Sequence, residues 1–376
     1  MFLKHFSFYE LGRKLTLGTL NELNDALAIR KQRPLGKAER VCDGFLQPFP
    51  KLHPGAYMAY IGVNDYDWHR EFQFGDELGA FGQENLPAFQ DKPFPLKGFS
   101  PRGTDALMLL FYREEKVVIS SFVKRQVQER VDEIESNEAR KVYTKERHQI
   151  RDEIVSKLLP AAQTRMWQAP VIFFSSGFVA IGAVGRNADI VAAEIRDILG
   201  TFPIQRLRTK HSSAAVLTAI AKAQAEDNFD RFQITSDFQF QATTERPSVA
   251  RCKNTDITDD NVQGLLTDKV VSHAAMRWNN EVSFKIDPKM DIRSLRVDDA
   301  VFEGREDEEE ELDYDHAKIA SMIIEYTLVN HMLHELVELH GGPDRRDGEE
   351  EAMNEEVSVS PERRQAAREE EDEDED

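Results

Sequence analysis

The chain has 376 residues, and its 48 Lys and Arg side chains face 68 Asp and Glu, a formal net charge of −20. A hydrophobic content of 40% with 9% aromatic residues is typical of a globular protein and excludes a wholly disordered chain. No apolar run reaches the ~20 residues of a membrane helix, and the first residues lack the features of a signal peptide, so we expect a cytoplasmic protein without a membrane partner. Cys42 and Cys252 have no Cys or His partners at metal-ligand spacing, which predicts buried or idle thiols, and we expect no metal or cofactor.

The negative charge is concentrated toward the C-terminus. Residues 341–376 contain 16 acidic and 5 basic side chains, a net of −11, and residues 301–315 contain 9 acidic and 1 basic side chain, a net of −8. Residues 316–340 have a net charge of −2, which leaves residues 1–300 at +1. A nearly neutral body can bind a polyanion through a local concentration of cations, so the overall charge does not exclude a nucleic-acid partner.

The first hundred residues combine regular elements with a long irregular stretch. Alternation predicts a strand over residues 2–11, and a helix from Thr19 has an apolar face at Leu20, Leu23 and Leu27. Residues 44–99 are rich in Pro, Gly and aromatic residues, which predicts a loop excursion with one or two short hairpins. A group of acids and a histidine there could bind a divalent ion, although polar loop residues are the simpler interpretation: Asp65, Asp67, His69, Glu71 and Asp76.

Residues 113–160 predict a strand followed by a helical arm. The apolar run 106–112 predicts a strand that pairs with residues 116–119 across a polar turn at residues 113–115. Ser120 and Thr144 are candidate caps for two helices, and Pro160 ends the second. Each helix has one apolar stripe at a helical period. The stripes are Val123, Val127, Val131 and Ile134 in the first helix, and Ile150, Ile154 and Leu158 in the second.

The joint between the two helices is basic. Between residues 138 and 151 five cations face only Glu138 and Glu146. The five are Arg140, Lys141, Lys145, Arg147 and Arg151. A solvated hairpin with mixed charge explains them without a function, whereas a phosphate-binding surface explains their clustering. The residues alone leave both interpretations open.

The pattern from residue 161 to residue 300 indicates an α+β fold with antiparallel sheets and helices packed on them. We expect a hairpin about Gly177, a helix over residues 188–199, and a strand at FPIQRLR. The segment FDRFQITSDFQFQATT predicts a strand pair, and Thr258 is a candidate cap of a short helix. A hairpin across Asn279 and Asn280 begins at Lys269 and is followed by a strand over residues 292–297.

Beyond residue 300 we expect an acidic linker over residues 301–315 and an amphipathic helix within residues 316–340, which Gly341 and Gly342 end. The helix can dock on the body or on a second subunit. Its three histidines, at positions 331, 334 and 340, fit solvated or core-edge positions better than a metal site. The low-complexity acidic tail, residues 341–376, lacks the apolar residues needed to fold, so we expect it to be disordered.

Three segments, in this order and spacing, resemble the recombination-associated RdgC family: REEKVVISS, NEARK and RDEIVSKLLP. The likeness extends from FLKHFSFYEL to TDKVVSHAAMRW, most of residues 1–300, and continues more weakly to HGG. Residues 44–99 and the tail are atypical of the family. The resemblance implies a nucleoid-associated protein that is not an enzyme, whose horseshoe-shaped subunits form a homodimeric ring around duplex DNA with little sequence preference. It also implies antagonism of a recombinase by restraint of its filaments.

The resemblance implies further DNA contacts where the family also has cations, at Arg251, Lys253 and Lys269. The sequence departs from the family pattern just after the arm. Ala161 and Gln163 stand where the family has a basic residue and an aromatic gate residue, and Phe122 or Trp167 could supply an apolar anchor instead.

Two other classes of function remain open. A metal-dependent nuclease acting in recombination is compatible with the abundant acids, although no compact carboxylate motif is present and we expect no catalytic residue. An acidic regulator that mimics DNA toward partner proteins is compatible with the tail.

Overall fold

The computed structural model describes residues 4–11, 17–51, 54–61, 106–174, 177–199, 204–228, 230–244, 248–301 and 314–344. Over these residues the fold is α+β with antiparallel strands, as the sequence predicts. The chain divides into two compact units. Unit 1 takes its described residues from 1–29, 47–110 and 169–376, and unit 2 consists of residues 30–46 and 111–168.

The strands of the described residues are β1 (His5–Leu11), β2 (Val41–Leu46), β3 (Met58–Ile61), β4 (Ala106–Val117), β5 (Gln163–Phe174), β6 (Phe178–Ile181), β7 (Ile204–Arg206), β8 (Phe232–Ala242), β9 (Val249–Cys252), β10 (Lys269–Trp278), β11 (Val282–Ile286) and β12 (Ile292–Val297). The α-helices are α1 (Leu17–Ile29), α2 (Ser120–Glu138), α3 (Thr144–Leu158), α4 (Arg186–Leu199), α5 (Ser213–Ala225), α6 (Asp260–Gln263) and α7 (Tyr314–Leu339). Strands β4 and β5 contribute residues to both units.

Unit 1 is built on the strand order β4-β5-β6-β1-β12-β11-β10-β8-β9, with β3 beside β4 and β7 beside β1. Along β11 buried and exposed residues alternate, and from His273 onward β10 alternates more exposed with buried residues, because one face of this antiparallel sheet covers the core and the other meets solvent. The core face includes Phe238, Phe240, Met276, Phe284 and Ile292.

Helix α7 packs on this core, which confirms docking on the body. Tyr326, Leu333 and Leu336 are fully or almost fully buried in the same apolar cluster as the strands. At the rim the indole Nε1 of Trp278 donates to Glu335 Oε2 at 2.8 Å. Gly341 and Gly342 follow α7 with φ of 81° and 84°, the left-handed region that glycine adopts at little cost. None of the helices in the described ranges is long and apolar enough to cross a membrane.

Unit 2 contains the arm, which we define as α2, α3 and the loop between them. Val123, Val127, Val131 and Ile150 are buried against one another, and Ile134, Ile154 and Leu158 pack on them. Both predicted stripes are therefore confirmed. The arm reverses direction at Ala139, which has φ of 52°. The loop is held by a hydrogen bond from the Val142 amide to Glu135 Oε1 at 2.9 Å.

The turn predicted at residues 113–115 is wrong, because β4 continues unbroken from Ala106 to Val117. Arg113 Nε donates to Asp43 Oδ1 on β2 at 2.5 Å, and Arg113 Nη2 contacts the other oxygen of that carboxylate. The polar stretch is stable inside a strand since its charge is matched across the sheet. Strands β2 and β3 lie within or next to the predicted loop excursion, where Asp43 and Gly44 obscure the alternation.

Four further local predictions need correction. Ser120 and Thr144 are the first helical residues and not caps; within the described chain the N-cap positions are Ile119 and Tyr143, and neither has a side-chain cap. Asp259 caps α6 in place of Thr258. The predicted strand pair after residue 229 is the single strand β8, interrupted by a register irregularity opposite β10.

One helix, α5, is missing from the sequence analysis; Ser212 caps it by accepting from the Ala215 amide at 3.3 Å. The hairpins about Gly177 and about Asn279 and Asn280 are confirmed, and all three residues have positive φ. The acidic residues 302–313, the tail from residue 345, the irregular stretch after residue 61 and its candidate metal ligands lie outside the described residues. The predicted bounds need two corrections, because α7 begins at Tyr314 inside the expected linker, and the start of the expected disordered tail is ordered by the backbone bond from Asp344 to Arg208 and the bridge between Pro343 and Thr209.

Candidate nucleic-acid interface

The structure places all five arm cations on the exposed surface. The apolar stripes occupy the seam between α2 and α3, so the charged side chains are left outside it. The five differ in what they contact. Only some of them have charge that is free to meet a ligand.

Arg140 is fully engaged with carboxylates. Its Nη1 and Nη2 donate to the two oxygens of Glu146 at 2.7 and 2.6 Å, and its Nε donates to Glu138 at 2.6 Å. These bonds raise the pKa of Arg140 above its ordinary value and lower the pKa of Glu146. Arg140 therefore fixes the loop and adds little positive charge to the surface.

The other four cations define what we call the arm surface: Lys141, Lys145, Arg147 and Arg151. Within the described residues, Lys141, Lys145 and Arg151 have no carboxylate at salt-bridge distance. Arg147 Nη2 donates to Gln128 Oε1 on α2 at 3.3 Å, a neutral partner. The arm surface thus retains four positive charges.

The placement of these cations is unfavourable for α3 itself. Lys145 and Arg147 lie in the first turn, where the helix dipole favours negative charge. Arg147 and Arg151 are four residues apart, so two like charges share one face. The described residues supply no side-chain cap at Tyr143, which leaves backbone amides at the start of α3 for an anion.

A second group of cations lies on unit 1. Arg251 and Lys253 line a cleft of about 200 Å³ together with two further cations that were not predicted from the sequence, Lys285 and Arg293. Two carboxylates, Asp237 and Asp287, also line it. Lys285 Nζ contacts Asp237 at 2.8 Å, and Arg293 Nη2 lies 3.5 Å from Asp287. The structure therefore brings together two of the three cations that the resemblance indicates on this unit.

Lys269 is separated from this cleft. It begins β10 opposite Ala242, whereas Arg251 lies opposite Gln239 on the same strand β8. Its side chain is only 15% exposed and its ammonium contacts Asp268 at 3.1 Å. Lys269 does not line the cleft, and its assignment to DNA remains a prediction.

The two aromatic residues considered as gate anchors have different surroundings. Trp167 packs against Phe111, with ring centroids 5.4 Å apart. Phe122 is 37% exposed, and the Arg125 guanidinium lies 5.2 Å from its ring. Ala161 is exposed and small. Phe122 is the better placed of the two aromatics for an external contact.

No group of three His, Cys, Asp or Glu side chains in the described ranges could hold a metal ion. Of the histidines, His340 is fully buried and its Nδ1 lies 2.6 Å from the Leu336 carbonyl oxygen. Burial lowers its pKa below the ordinary value, which favours a neutral core residue. Cys42 and Cys252 are free thiols whose pKa is raised by burial.

Lys285 and Arg293 were not predictable as site residues, because each occupies an ordinary polar position in an alternating strand. The alternation of VSFKI places Lys285 on the solvent face, but which residues oppose it depends on the order of the strands. Only that order makes Lys285 and Arg293 direct neighbours.

Comparison with known proteins gives one consistent family. Residues 95–343 match the family model described as "Putative exonuclease, RdgC". A protein of Pseudomonas syringae named recombination-associated protein RdgC is 32% identical over 65% of this chain and 80% of its own length. Proteins of the same name from Pseudomonas fluorescens and Pseudomonas aeruginosa are 27% and 31% identical, over 93% and 81% of this chain and 100% and 86% of their own lengths. The chain belongs to the RdgC family.

Proposed function

We propose that this chain is a recombination-associated protein that binds duplex DNA without reading its sequence and has no catalytic role of its own. Contacts to phosphates fix a protein on DNA but carry no sequence information. The names of the relatives, recombination-associated protein, support a role in recombination. The arm surface supports DNA as the ligand.

The observation that carries the proposal is the charge of Lys141, Lys145, Arg147 and Arg151, which lie in the loop before α3 and in its first two turns and have no carboxylate at salt-bridge distance within the described residues. Each first-turn cation opposes the helix dipole by about 0.3–1 kcal/mol at low ionic strength. The pair Arg147 and Arg151 adds a further repulsion of about 0.2–0.5 kcal/mol. A phosphate bound there interacts favourably with both the cations and the helix N-terminus. Binding of a polyanion therefore offsets the unfavourable interactions among these charges.

The finer parts of the proposal come from the family resemblance. We expect a homodimer that closes as a ring around duplex DNA and restrains recombinase filaments. A ring needs two subunits, so the mass of the complex in solution tests its minimum requirement. A monomer at the concentrations where DNA is bound contradicts the ring and leaves the phosphate contacts standing.

The direct test is an electrophoretic mobility shift with three duplexes of equal length and unrelated sequence, at one fixed salt concentration. We expect dissociation constants within about threefold of each other, because contacts to the backbone are common to all sequences. A preference of 100-fold or more for one duplex contradicts binding through phosphates alone. A single-stranded oligonucleotide of the same length serves as the comparison ligand.

The description of the family model favours one alternative, a nuclease. The candidate ligands at residues 65–76 lie outside the described residues, so the test is chemical. Labelled duplex is incubated with the chain and Mg²⁺ or Mn²⁺, with EDTA as the control. Intact DNA in every lane supports a binding protein. Metal-dependent fragments that disappear when Asp65 and Asp67 are changed to Asn establish the nuclease.

A further inference from the structure

We infer that Lys285 and Arg293 bind backbone phosphates of DNA and extend the contact that the family resemblance implies at Arg251 into a row of side chains, which crosses β9, β8, β10, β11 and β12 on the solvent face of the sheet in unit 1. The inference rests on the proposed function and names its second site. Nothing in the sequence pattern of β11 or β12 singles out Lys285 or Arg293. The strand register does.

The row follows from the pairing of the strands. Arg251 lies opposite Gln239, Gln239 lies opposite His273, Ala275 lies opposite Lys285, and Lys285 lies opposite Arg293. His273 and Ala275 are two residues apart on β10 and so share a face. Directly opposed residues also point to the same face. The residues that alternate with the row along each strand point to the opposite face of the sheet and are buried, as in Phe238, Ala274 and Phe284.

The row is exposed to solvent where its cations lie. The side chains of Lys285 and Arg293 are 51% and 46% exposed, and Arg251 is exposed at the edge strand β9. Four strand spacings separate β9 from β12, which is roughly 19 Å across the sheet at about 4.8 Å per strand. The row is therefore long enough to meet more than one phosphate of a DNA backbone.

Neighbouring side chains hold the cations in place. Gln239 Oε1 accepts from Arg251 Nε at 2.9 Å, and the Gln239 amide nitrogen lies 3.3 Å from His273 Nδ1. Asp287 Oδ1 accepts from the backbone amides of Lys289 and Asp291, which fixes the carboxylate that faces Arg293. Side chains with restricted motion lose less conformational entropy when they bind.

The electrostatics of the row favour an anion. Lys285 and Arg293 are like charges directly opposite each other, an arrangement that destabilises a sheet. Asp237 and Asp287 relieve part of that repulsion, and the hydrogen bond from Lys285 lowers the pKa of Asp237, which stays ionised at neutral pH. With Arg251 and Lys253 the cleft has four cations against two carboxylates. A phosphate between Lys285 and Arg293 removes the remaining repulsion.

The test uses the full chain, duplex DNA and three variants. Lys285→Gln with Arg293→Gln removes two contacts of carboxylate-paired cations, so we expect affinity to fall by less than the roughly tenfold per contact of an unpaired cation at 0.1 M salt, and the log-log salt slope to become shallower by at most roughly 1.8. Asp237→Asn removes a competing negative charge at the same place, so we expect severalfold tighter binding. Lys222→Gln on α5 makes the same charge change as one of the lost contacts, at an exposed residue outside the cleft, and should leave the slope unchanged.

The outcomes separate this inference from the proposed function. If the wild type binds no duplex, the proposed function fails. If the wild type binds and the double variant, with an unchanged melting temperature, has the same affinity and slope, the row does not contact DNA. Asp237→Asn supplies a second check, since a purely structural ion pair predicts lower stability and no gain in affinity. Inorganic phosphate at constant ionic strength is the last probe. If it weakens DNA binding of the wild type but not of the double variant, the cleft binds phosphate groups as inferred, whereas equal weakening of both proteins contradicts the inference.

Discussion

The arm surface of unit 2 and the cationic row of unit 1 both contain neighbouring like charges, but they differ in how those charges are compensated. Both place like charges side by side: Arg147 and Arg151 on one helix face, Lys285 and Arg293 on paired strands. In the row each of these cations has a carboxylate nearby, at 2.8 and 3.5 Å. On the arm, within the described residues, the pair has none.

This difference predicts different contributions to binding. An uncompensated cation contributes its full charge to a phosphate contact, whereas a paired cation must share it with its carboxylate. We therefore expect the arm surface to supply most of the affinity for DNA and the row to contribute a smaller part, which helps to orient the bound DNA. Changes on the arm should have the larger effect.

The largest effect is expected from reversing three charges of the arm surface, Lys141→Glu, Lys145→Glu and Arg151→Glu. Three lost contacts should weaken duplex binding by about 10³-fold at 0.1 M salt, with added repulsion from the new carboxylates. The apolar seam of the arm is untouched, so the melting temperature should stay within a few degrees. Affinity is measured by fluorescence anisotropy.

The matched control reverses three other exposed cations of the arm, Lys124, Arg130 and Lys157. The charge change is identical and the element is the same. If the control weakens binding as much as the test variant, the effect comes from net charge alone, and the arm surface loses its special role.

A second prediction concerns the packing of the arm, whose buried cluster is small compared with that of unit 1. Val131 is 1% exposed, and Val131→Ala should cost about 2 kcal/mol of local stability. Amide hydrogen exchange of α2 and α3 should speed up, while α7 keeps its protection. Val117→Ala, at a half-exposed strand end, is the control. Uniform acceleration in both units would mean that the arm does not open by itself.

The acidic tail gives a third prediction, in which the net charge of the chain is changed without altering either site. Residues 345–376 carry 15 acidic and 5 basic side chains, a net of −10. If the chain ends after Asp344, it keeps the hydrogen bond that the Asp344 backbone amide donates to the Arg208 carbonyl oxygen at 2.8 Å. We expect duplex binding to tighten by about tenfold at low salt and by less at high salt, because screening weakens the repulsion. Equal or weaker binding at low salt rules out a role for the tail as a competitor.

The smallest effect is expected from protonation of a buried histidine in unit 1. Burial lowers the pKa of His340 below the 6.5 of the unfolded chain, so the unfolded state binds the proton more readily. The free energy of unfolding should therefore decrease as the pH falls below about 6.5, and His340→Gln should remove part of that decrease. His148→Gln, at an exposed position on α3, is the control. Identical pH profiles for His340→Gln and wild type would contradict this account.

The arm was predictable from sequence because its two apolar stripes satisfy a helical period over several turns. Val123, Val127 and Val131 identify one buried face without any knowledge of the partner helix. Capping was not predictable, because Ile119 and Tyr143 take the N-cap positions through backbone conformation alone. A Ser or Thr near a helix start is only a statistical preference.

The strand β4 shows why charged stretches were misjudged. Arg113 and Glu114 suggest a turn, but tertiary contact with Asp43 makes that position stable within a strand. The row of unit 1 was missed for a related reason. Lys285 and Arg293 are close only because β11 and β12 pair in one register, and register is a property of the whole sheet.

The salt dependence of duplex binding tests the central claim most directly. The dissociation constants of the wild type and of the variant Lys141→Glu, Lys145→Glu, Arg151→Glu are measured between 50 and 200 mM salt. If each cation meets one phosphate, the log-log slope of the variant should be shallower by roughly 2.7, since each contact contributes about 0.9 on duplex DNA. Equal slopes for the two proteins, at equal melting temperatures, would show that the arm surface does not contact the DNA backbone.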